Sequence, residues 1–321
     1  MVYKEYIEWV QMLTGKLYGK EEGRAIAVRL LQHFCGISAY EHMVEPYGAI
    51  APEILGELQS AAQQAAAARP LQYIIGYQEF MGLKIAVEEG VLIPRPETEE
   101  LVNLVLNHIA TRPSQSAHPD GLRILDAACG SGCIATALKH HLPESQIFAC
   151  DLSPKALRIT TRNLTSAQNL SSPPPDKSSS AHELSSEHSD FNYEHSVFKY
   201  EHSVFSYDLL KSPEEFPLKE LDIIVSNPPY VMERERSEMR ANVLDYEPAE
   251  ALFVPDNDPL LFYRALEKLA SATLKPGGAI FMEINENLSL ETASIFKNAG
   301  YTTVEVKTDL FGKQRFCTAR I

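Results

Sequence analysis

Leu122-Arg123-Ile124-Leu125-Asp126-Ala127-Ala128-Cys129-Gly130-Ser131-Gly132-Cys133-Ile134-Ala135-Thr136-Ala137-Leu138 reads as a short strand, a turn of small residues and the opening of a helix. Leu122 to Leu125 supply the strand, and Cys133 to Leu138 the helix. Between them, Gly130 and Gly132 let the backbone approach a ligand closely, while the first helical turn leaves N–H groups free for a polar group. About 20 residues on, the spacing expected of a ribose-binding acid, Ile147-Phe148-Ala149-Cys150 forms the next strand and ends at Asp151. A carboxylate there can accept both hydroxyls of a ribose. The pattern predicts an α/β fold with a nucleotide-type binding element after its first strand.

Farther along, Leu221-Asp222-Ile223-Ile224-Val225-Ser226 reads as a buried strand that stops at Asn227-Pro228-Pro229-Tyr230. Two prolines cannot donate to a sheet ladder, so the chain leaves the sheet rigidly at Asn227. Pro228 pushes Asn227 toward an extended backbone and contributes a carbonyl with no helix or strand partner. One side-chain acceptor and one backbone acceptor then converge, which suits both hydrogens of a planar NH2 group, and Tyr230 offers a flat face for that plane. Asn227, Pro228 and Tyr230 are the candidate catalytic residues, and Pro229 joins them in the substrate site. An ordinary turn after a strand is the plainer alternative for the tetrapeptide alone.

The cofactor follows from the two motifs together. A dinucleotide is the competing ligand, but its Gly-x-Gly-x-x-Gly turn is absent, and a pyrophosphate is disfavoured beside Asp126. S-adenosylmethionine, with a zwitterionic amino-acid end and a ribose for Asp151, suits the pair better. Ala128, Cys129, Gly130, Ser131, Gly132 and Asp151 are the candidate cofactor-binding residues.

The combination of Gly130-Ser131-Gly132, Asp151 and Asn227-Pro228-Pro229-Tyr230 resembles class I methyltransferases acting on amino groups. Gln72-Tyr73-Ile74-Ile75-Gly76, Glu79-Phe80 and Val91-Leu92-Ile93-Pro94-Arg95-Pro96-Glu97-Thr98-Glu99 are similar to the peptide chain release factor glutamine methyltransferases in particular. So are Glu247-Pro248 with Ala251-Leu252, Asp258 with Tyr263-Arg264, Glu283, and Asp309 with Gly312 and Arg315. The resemblance covers about nine tenths of the chain and departs from the family pattern at three places: Ala128 and Asn285 stand where glycine is usual, and Leu288 where glutamine is frequent. It implies a Rossmann-like methyltransferase domain with a twisted, mostly parallel sheet over 96–321, preceded by a helical substrate-docking domain over 1–69 and a β-hairpin connector over 70–95. It further implies methylation by S-adenosylmethionine of the side-chain amide nitrogen of the glutamine in the Gly-Gly-Gln loop of release factors. Leu209 would flank the adenine, and Asn227 would border the cofactor as well as the substrate.

The chemistry accounts for the residue types. An amide nitrogen is a poor nucleophile, and no side chain deprotonates it fully at neutral pH, so position must substitute for basicity. Asn227 and the Pro228 carbonyl would aim the nitrogen at the methyl and stabilise the positive charge growing on it. A substrate lacking the two amide hydrogens would strand buried acceptors.

Composition fits an intracellular enzyme. The chain has 321 residues, 45% of them hydrophobic, enough for a large core. No apolar run reaches membrane length, and Met1-Val2-Tyr3-Lys4-Glu5 lacks a secretory pattern, so a cytoplasmic location and a monomer are expected. Cys35, Cys129, Cys133, Cys150 and Cys317 are scattered and odd in number, which reads as free thiols and no metal. A formal net charge of −14 disfavours direct nucleic-acid binding and favours a protein substrate.

In the first seventy residues, Tyr6, Trp9, Val10 and Leu13, and then Ala27, Leu30, Leu31 and Phe34, recur at helical spacing, and Ile54 to Ala68 is rich in helix formers. From Pro70 to Pro94 the pattern changes to short strands broken by Gly76, Gly82 and Gly90, followed by a helix over Glu97 to His108. Thr98 and its acidic neighbours there read either as groups complementing the helix dipole or as a loop closing over the site. From Thr165 to Phe205 a serine- and proline-rich stretch leads into three copies of Glu-His-Ser-x-Phe-x-Tyr, starting at Glu187, Glu194 and Glu201. This reads as a disordered insertion ahead of a strand carrying Val204 to Tyr207; its histidines at 188, 195 and 202 show no ligand spacing. Two other functions stay open: an amino methyltransferase acting on a ribosomal-protein glutamine or on adenine or guanine, and a non-catalytic cofactor-binding docking protein.

Overall fold

The computed structural model describes residues 1–111, 121–171 and 202–321. Four helices come first: α1 (Tyr3–Cys35), α2 (Glu41–Val44), α3 (Pro52–Ala66) and α4 (Leu71–Ile75). Gly19, at φ 77°, breaks the regular path of α1, so its two halves carry the two apolar stripes of the sequence. Tyr6, Val10, Ala27, Leu30 and Leu31 from α1 close on Leu58, Ala61 and Ala62 from α3, with Trp9 packed at the margin of that core. Proline in the first turn of α3 costs no hydrogen bond, because the N–H it lacks has no partner at that place.

The hairpin β1 (Tyr77–Phe80) and β2 (Leu83–Ala86) follows, pairing Phe80 with Leu83 around Gly82 at φ 76°. Only part of the 70–94 stretch is strand. Leu71 to Ile75 is a helical turn closed by the left-handed Gly76, at φ 82°, so that glycine ends a helix where the sequence pattern predicts a break between strands.

The remaining elements are α5 (Pro96–Ala110), β3 (Arg123–Ala127), α6 (Cys133–His141), β4 (Gln146–Asp151), α7 (Pro154–Ser171), β5 (His202–Ser206), β6 (Leu221–Ser226), β7 (Val231–Met232), α8 (Ala241–Leu244), β8 (Phe253–Val254), α9 (Leu261–Thr273), β9 (Leu274–Glu283), α10 (Ser289–Asn298), β10 (Thr303–Thr308) and β11 (Gln314–Arg320). Seven of these strands form one sheet in the order β10-β11-β9-β6-β3-β4-β5. Every pair in it is parallel except those made by β11, which runs antiparallel to both β10 and β9. This is the Rossmann-like, mostly parallel sheet expected from the sequence. All six residues of β6 are buried, as a strand covered on both faces requires.

One core cluster on the sheet joins Leu125, Phe148, Ile224 and Ile280 to Tyr263, Leu266 and Phe296 of α9 and α10. Another joins Ile124, Ile147, Ile223 and Val225 to residues of α5 and α6. The third copy of the heptapeptide repeat supplies β5, which pairs with β4 at the sheet edge, and α7 extends to Ser171. Regular structure thus reaches into the 165–205 stretch from both ends, driven on one side by strand pairing and on the other by helix continuation. The rest of the expected insertion, with His188 and His195, lies outside the described residues.

Candidate active site

The sheet register brings the motifs to one place. Ser226 of β6 lies opposite Ala127 of β3, and Ala127 lies opposite Cys150 of β4. Asn227 and Ala128 follow directly after β6 and β3, and Asp151 is the last residue of β4, paired with Ser206 of β5. Two strand spacings, about 10 Å, separate the outer members. Three sequence motifs up to a hundred residues apart therefore meet at the carboxyl ends of adjacent parallel strands, the usual binding edge of such a sheet.

Gly130 adopts φ 54° with open space where a side chain would stand, so its backbone can be approached directly. Gly132, at φ 71°, is different: a Cβ there would meet the Thr160 side chain at 2.6 Å. It begins α6 and needs glycine for conformation and for room. Ala128 holds φ 57°, a left-handed backbone that costs an L-residue roughly 1–2 kcal/mol. That explains in physical terms why glycine suits this position, and the alanine here carries the strain.

Asp151 accepts the Gly130 N–H at 2.9 Å and the Ser153 N–H at 2.8 Å, one on each carboxylate oxygen. Burial pushes its pKa up, opposed by those N–H groups. Each oxygen keeps a lone pair for a further donor. Cys129 lies beneath the turn with its thiol 3.3 Å from the Thr160 hydroxyl. Burial raises the Cys129 thiol well above its ordinary value and the Cys133 thiol to about 12, so neither is a nucleophile. Ser131 is buried, its carbonyl accepting from Asn163. Leu209 is 7% exposed and packs in the same core as Ala127 and Cys150. The five cysteines are all free thiols, four of them buried, and among the described residues no group of three His, Cys, Asp or Glu side chains could hold a metal. Also among the described residues, no helix is long and apolar enough to cross a membrane.

Asp126 is fully buried; one oxygen accepts the Ala135 N–H at 3.0 Å, and the other, Oδ1, has no hydrogen-bond partner. Desolvation pushes its pKa up to about 8, with Asp151 adding to the rise. An orphaned carboxylate oxygen at the base of the turn asks for a donor or cation. With the open backbone at Gly130 and the spare acceptors of Asp151, the residues present fit a ligand with an ammonium at one end and vicinal hydroxyls at the other. S-adenosylmethionine has both.

Asn227 is half-buried, and Pro228 and Pro229 are buried. The Asn227 Nδ2 donates to the Thr98 hydroxyl at 3.1 Å. Neither its Oδ1 nor the Pro228 carbonyl has a hydrogen-bond partner among the described residues. Tyr230 donates its hydroxyl to Glu283 Oε1 at 2.7 Å, and Thr98 donates to Glu283 Oε2 at 2.8 Å. Burial drives the Tyr230 pKa far up, which keeps it a phenol and a donor.

Asn285 donates to the Tyr230 carbonyl at 3.1 Å and to Glu235 at 3.0 Å, a link that a glycine at that position cannot make. Glu247 accepts from the Ile93 N–H at 3.0 Å and from Arg95 at 2.6 Å, pinning the turn ahead of α5. Thr98 is therefore not only part of a helix start: its hydroxyl is tied into the Asn227 site. Thr98 and Glu283 support Asn227 here, a role that no local sequence pattern marks. Their one sequence signal is that they stand in the stretches that resemble the family.

A family model described as a methyltransferase domain matches residues 124–212, and one described as the PrmC N-terminal domain matches residues 8–76. The chain is 36% identical over 311 residues to the release factor glutamine methyltransferase of Bacteroides thetaiotaomicron, covering 97% of each chain. It is 33% identical over 316 residues to that of Flavobacterium psychrophilum, covering 98% of each. A solved protein-(glutamine-N5) methyltransferase (release factor-specific) from Alicyclobacillus acidocaldarius aligns with 71% of this chain and 93% of its own, at 22% identity and a TM-score of 0.37, too loose a superposition to bear on the site.

Proposed function

Because the chain belongs to the release factor glutamine methyltransferases and is an enzyme of methyl transfer, we propose that it methylates the glutamine side-chain amide nitrogen in the Gly-Gly-Gln loop of peptide chain release factors, in the cytoplasm, with S-adenosylmethionine as donor. The observation that carries this reading is the register row Ser226–Ala127–Cys150, which delivers Asn227 and Asp151 to either side of the Gly130 turn.

When bound, S-adenosylmethionine supplies a methyl made electrophilic by its sulfonium. Asp151 would take the ribose hydroxyls, Asp126 the ammonium, and the turn from Ala128 to Gly132 the space between, with Leu209 closing the apolar side toward the adenine. Asn227 Oδ1 and the Pro228 carbonyl accept the two amide hydrogens of the substrate glutamine. Held in that way, the nitrogen presents its lone pair to the methyl, and the two oxygens stabilise the positive charge that develops during transfer. The Tyr230 ring, tethered by its hydroxyl, stacks on the amide plane. No general base is needed before attack, since the alkylated nitrogen is acidic and releases its proton afterwards. Glutamate in place of glutamine would set a carboxylate against two acceptor oxygens, a mismatch that gives selectivity without a charged residue in the site.

The formal net charge of −14 supports a protein substrate over a polyphosphate backbone. The helical unit over residues 1–69 is proposed to dock the release factor. Asn227→Ala tests the mechanism: cofactor affinity should stay near wild type while single-turnover transfer falls by roughly 10²-fold or more, and unchanged transfer would refute it.

A further inference from the structure

The amide of Asn227 has two ends of nearly equal shape and opposite chemistry, and the proposed reaction needs the oxygen end toward the substrate. What determines which end points there is not Asn227 itself. Glu283, 2% exposed at the end of β9, is an acceptor from two hydroxyls, Tyr230 on one oxygen and Thr98 on the other. Arg315, held by Asp309 at 3.4 Å, puts a positive charge near it, while Glu97 contributes a negative one. A hydroxyl has one proton. Thr98, itself 2% exposed, commits that proton to Glu283 and so faces Asn227 only as an acceptor. It is satisfied by the Nδ2 end, at 3.1 Å. The Oδ1 end is left pointing the other way, with no partner among the described residues.

We propose that Glu283 and Thr98 are positioning residues that set the polarity of the site: the carboxylate orients the Thr98 hydroxyl, and that hydroxyl fixes the Asn227 amide with its oxygen toward the substrate nitrogen. The inference rests on the function proposed above and adds to it the source of the preference for an NH2 group over a carbonyl. The same carboxylate tethers Tyr230, so one buried anion aligns both the acceptor and the stacking ring. Protonation of Glu283 from solvent would let the carboxyl donate to Thr98 and free the Thr98 proton to turn toward Asn227, making Thr98 a donor there. The amide would then rotate and offer its own NH2 to the substrate, a polarity that accepts a carbonyl or carboxylate and rejects an amide nitrogen.

The test compares the full-length wild type, Thr98→Val and Thr98→Ser. Each is assayed for cofactor affinity, for kcat on a release factor, and for binding of that factor relative to a variant whose Gly-Gly-Gln glutamine is glutamate. Thr98→Val keeps the shape and removes the acceptor, so kcat should fall by at least about tenfold, since small misplacements of a reacting group are costly. Cofactor affinity should hold, and the preference for glutamine over glutamate should shrink. Thr98→Ser, which keeps the hydroxyl, should restore both kcat and preference. Thr98→Ala makes the same prediction as valine and replaces it if the valine variant fails to fold. A valine or alanine variant with wild-type kcat would overturn the inference, and so would one that loses kcat with its glutamine preference intact. Absence of transfer by the wild type is a separate result: it would refute the proposed function, and the inference with it.

Discussion

Replacing Asp126 with asparagine removes a carboxyl group that the fold holds wholly out of water with one oxygen unpartnered. Its pKa is pushed from 3.8 up to about 8. Because the folded value lies above the unfolded one, the folded chain keeps a proton that the unfolded chain has released. That contribution is fully present below the unfolded pKa and is lost as pH rises through the window from 3.8 to about 8. At pH 7 the gap of roughly three units corresponds to about 4 kcal/mol, at about 1.4 kcal/mol per unit, as an upper limit. Asparagine has the same shape and no charge to lose. It can still accept the Ala135 N–H, while its amide nitrogen stands where Oδ1 stood, at a cost of about 1–3 kcal/mol if no acceptor is found. Asp126→Asn should therefore stabilise the cofactor-free chain at pH 7 by about 2 kcal/mol, a rise in Tm of roughly 4 °C, and should flatten the decline of stability as pH rises from 3.8 toward about 8. The same change should weaken S-adenosylmethionine binding by about tenfold or more, because a hydrogen bond to a charged group is worth about 1.5–3 kcal/mol. Thermal unfolding across pH 5–9, with and without cofactor, reads both effects. A variant less stable than wild type at pH 8, or one that binds the cofactor unchanged, would overturn these roles for Asp126.

Arg95 and Glu247 should respond unequally: Arg95→Met strands a buried carboxylate and is expected to cost about 3–5 kcal/mol. Glu247→Gln keeps an acceptor for the Ile93 N–H and leaves a half-exposed Arg95, so denaturant unfolding should show the smaller loss, about 1–2 kcal/mol. Gly132→Ala and Ala128→Gly should act in opposite directions on the same turn. The first forces a Cβ to within 2.6 Å of Thr160 at a left-handed φ and should lower stability by about 2 kcal/mol or more. The second relieves an existing left-handed alanine and should be neutral or stabilising by up to about 1 kcal/mol, after glycine's own entropy cost. Differential scanning calorimetry of the two variants checks both signs.

The parts of this molecule legible in its sequence are those set by local chemistry. β3, β4 and β6 announce themselves as apolar runs ended by an acid, a small-residue turn or a double proline, and each falls within about two residues of its expected place, the ordinary uncertainty of an element boundary. Gly82 marks its hairpin turn because a left-handed tip favours glycine. Gly76 is ambiguous for the same reason, since a left-handed glycine ends helices as well as strands, and five residues of Leu, Gln, Tyr and Ile carry too little periodicity to choose. The supports of Asn227 were out of reach for a different reason. Thr98, Asn227 and Glu283 are 129 and 185 positions apart in their pairings and meet only when α5 packs on the ends of β6 and β9. Nothing in the local pattern around a threonine near a helix start says whose proton it will share. The orphaned oxygen of Asp126 is likewise a property of packing, not of the Asp-Ala-Ala-Cys-Gly stretch that contains it.

One nitrogen of the substrate is expected to receive the methyl group. The most direct measurement incubates the wild-type chain with labelled S-adenosylmethionine and a purified release factor, then digests the product and locates the label by mass spectrometry, with total nucleic acid and a glutamine-replaced factor assayed alongside. The expected product carries a single methyl on the side-chain nitrogen of the Gly-Gly-Gln glutamine, with none on the replaced factor or on nucleic acid. A methyl on any other residue, on a nucleobase, or on nothing despite bound cofactor would contradict it.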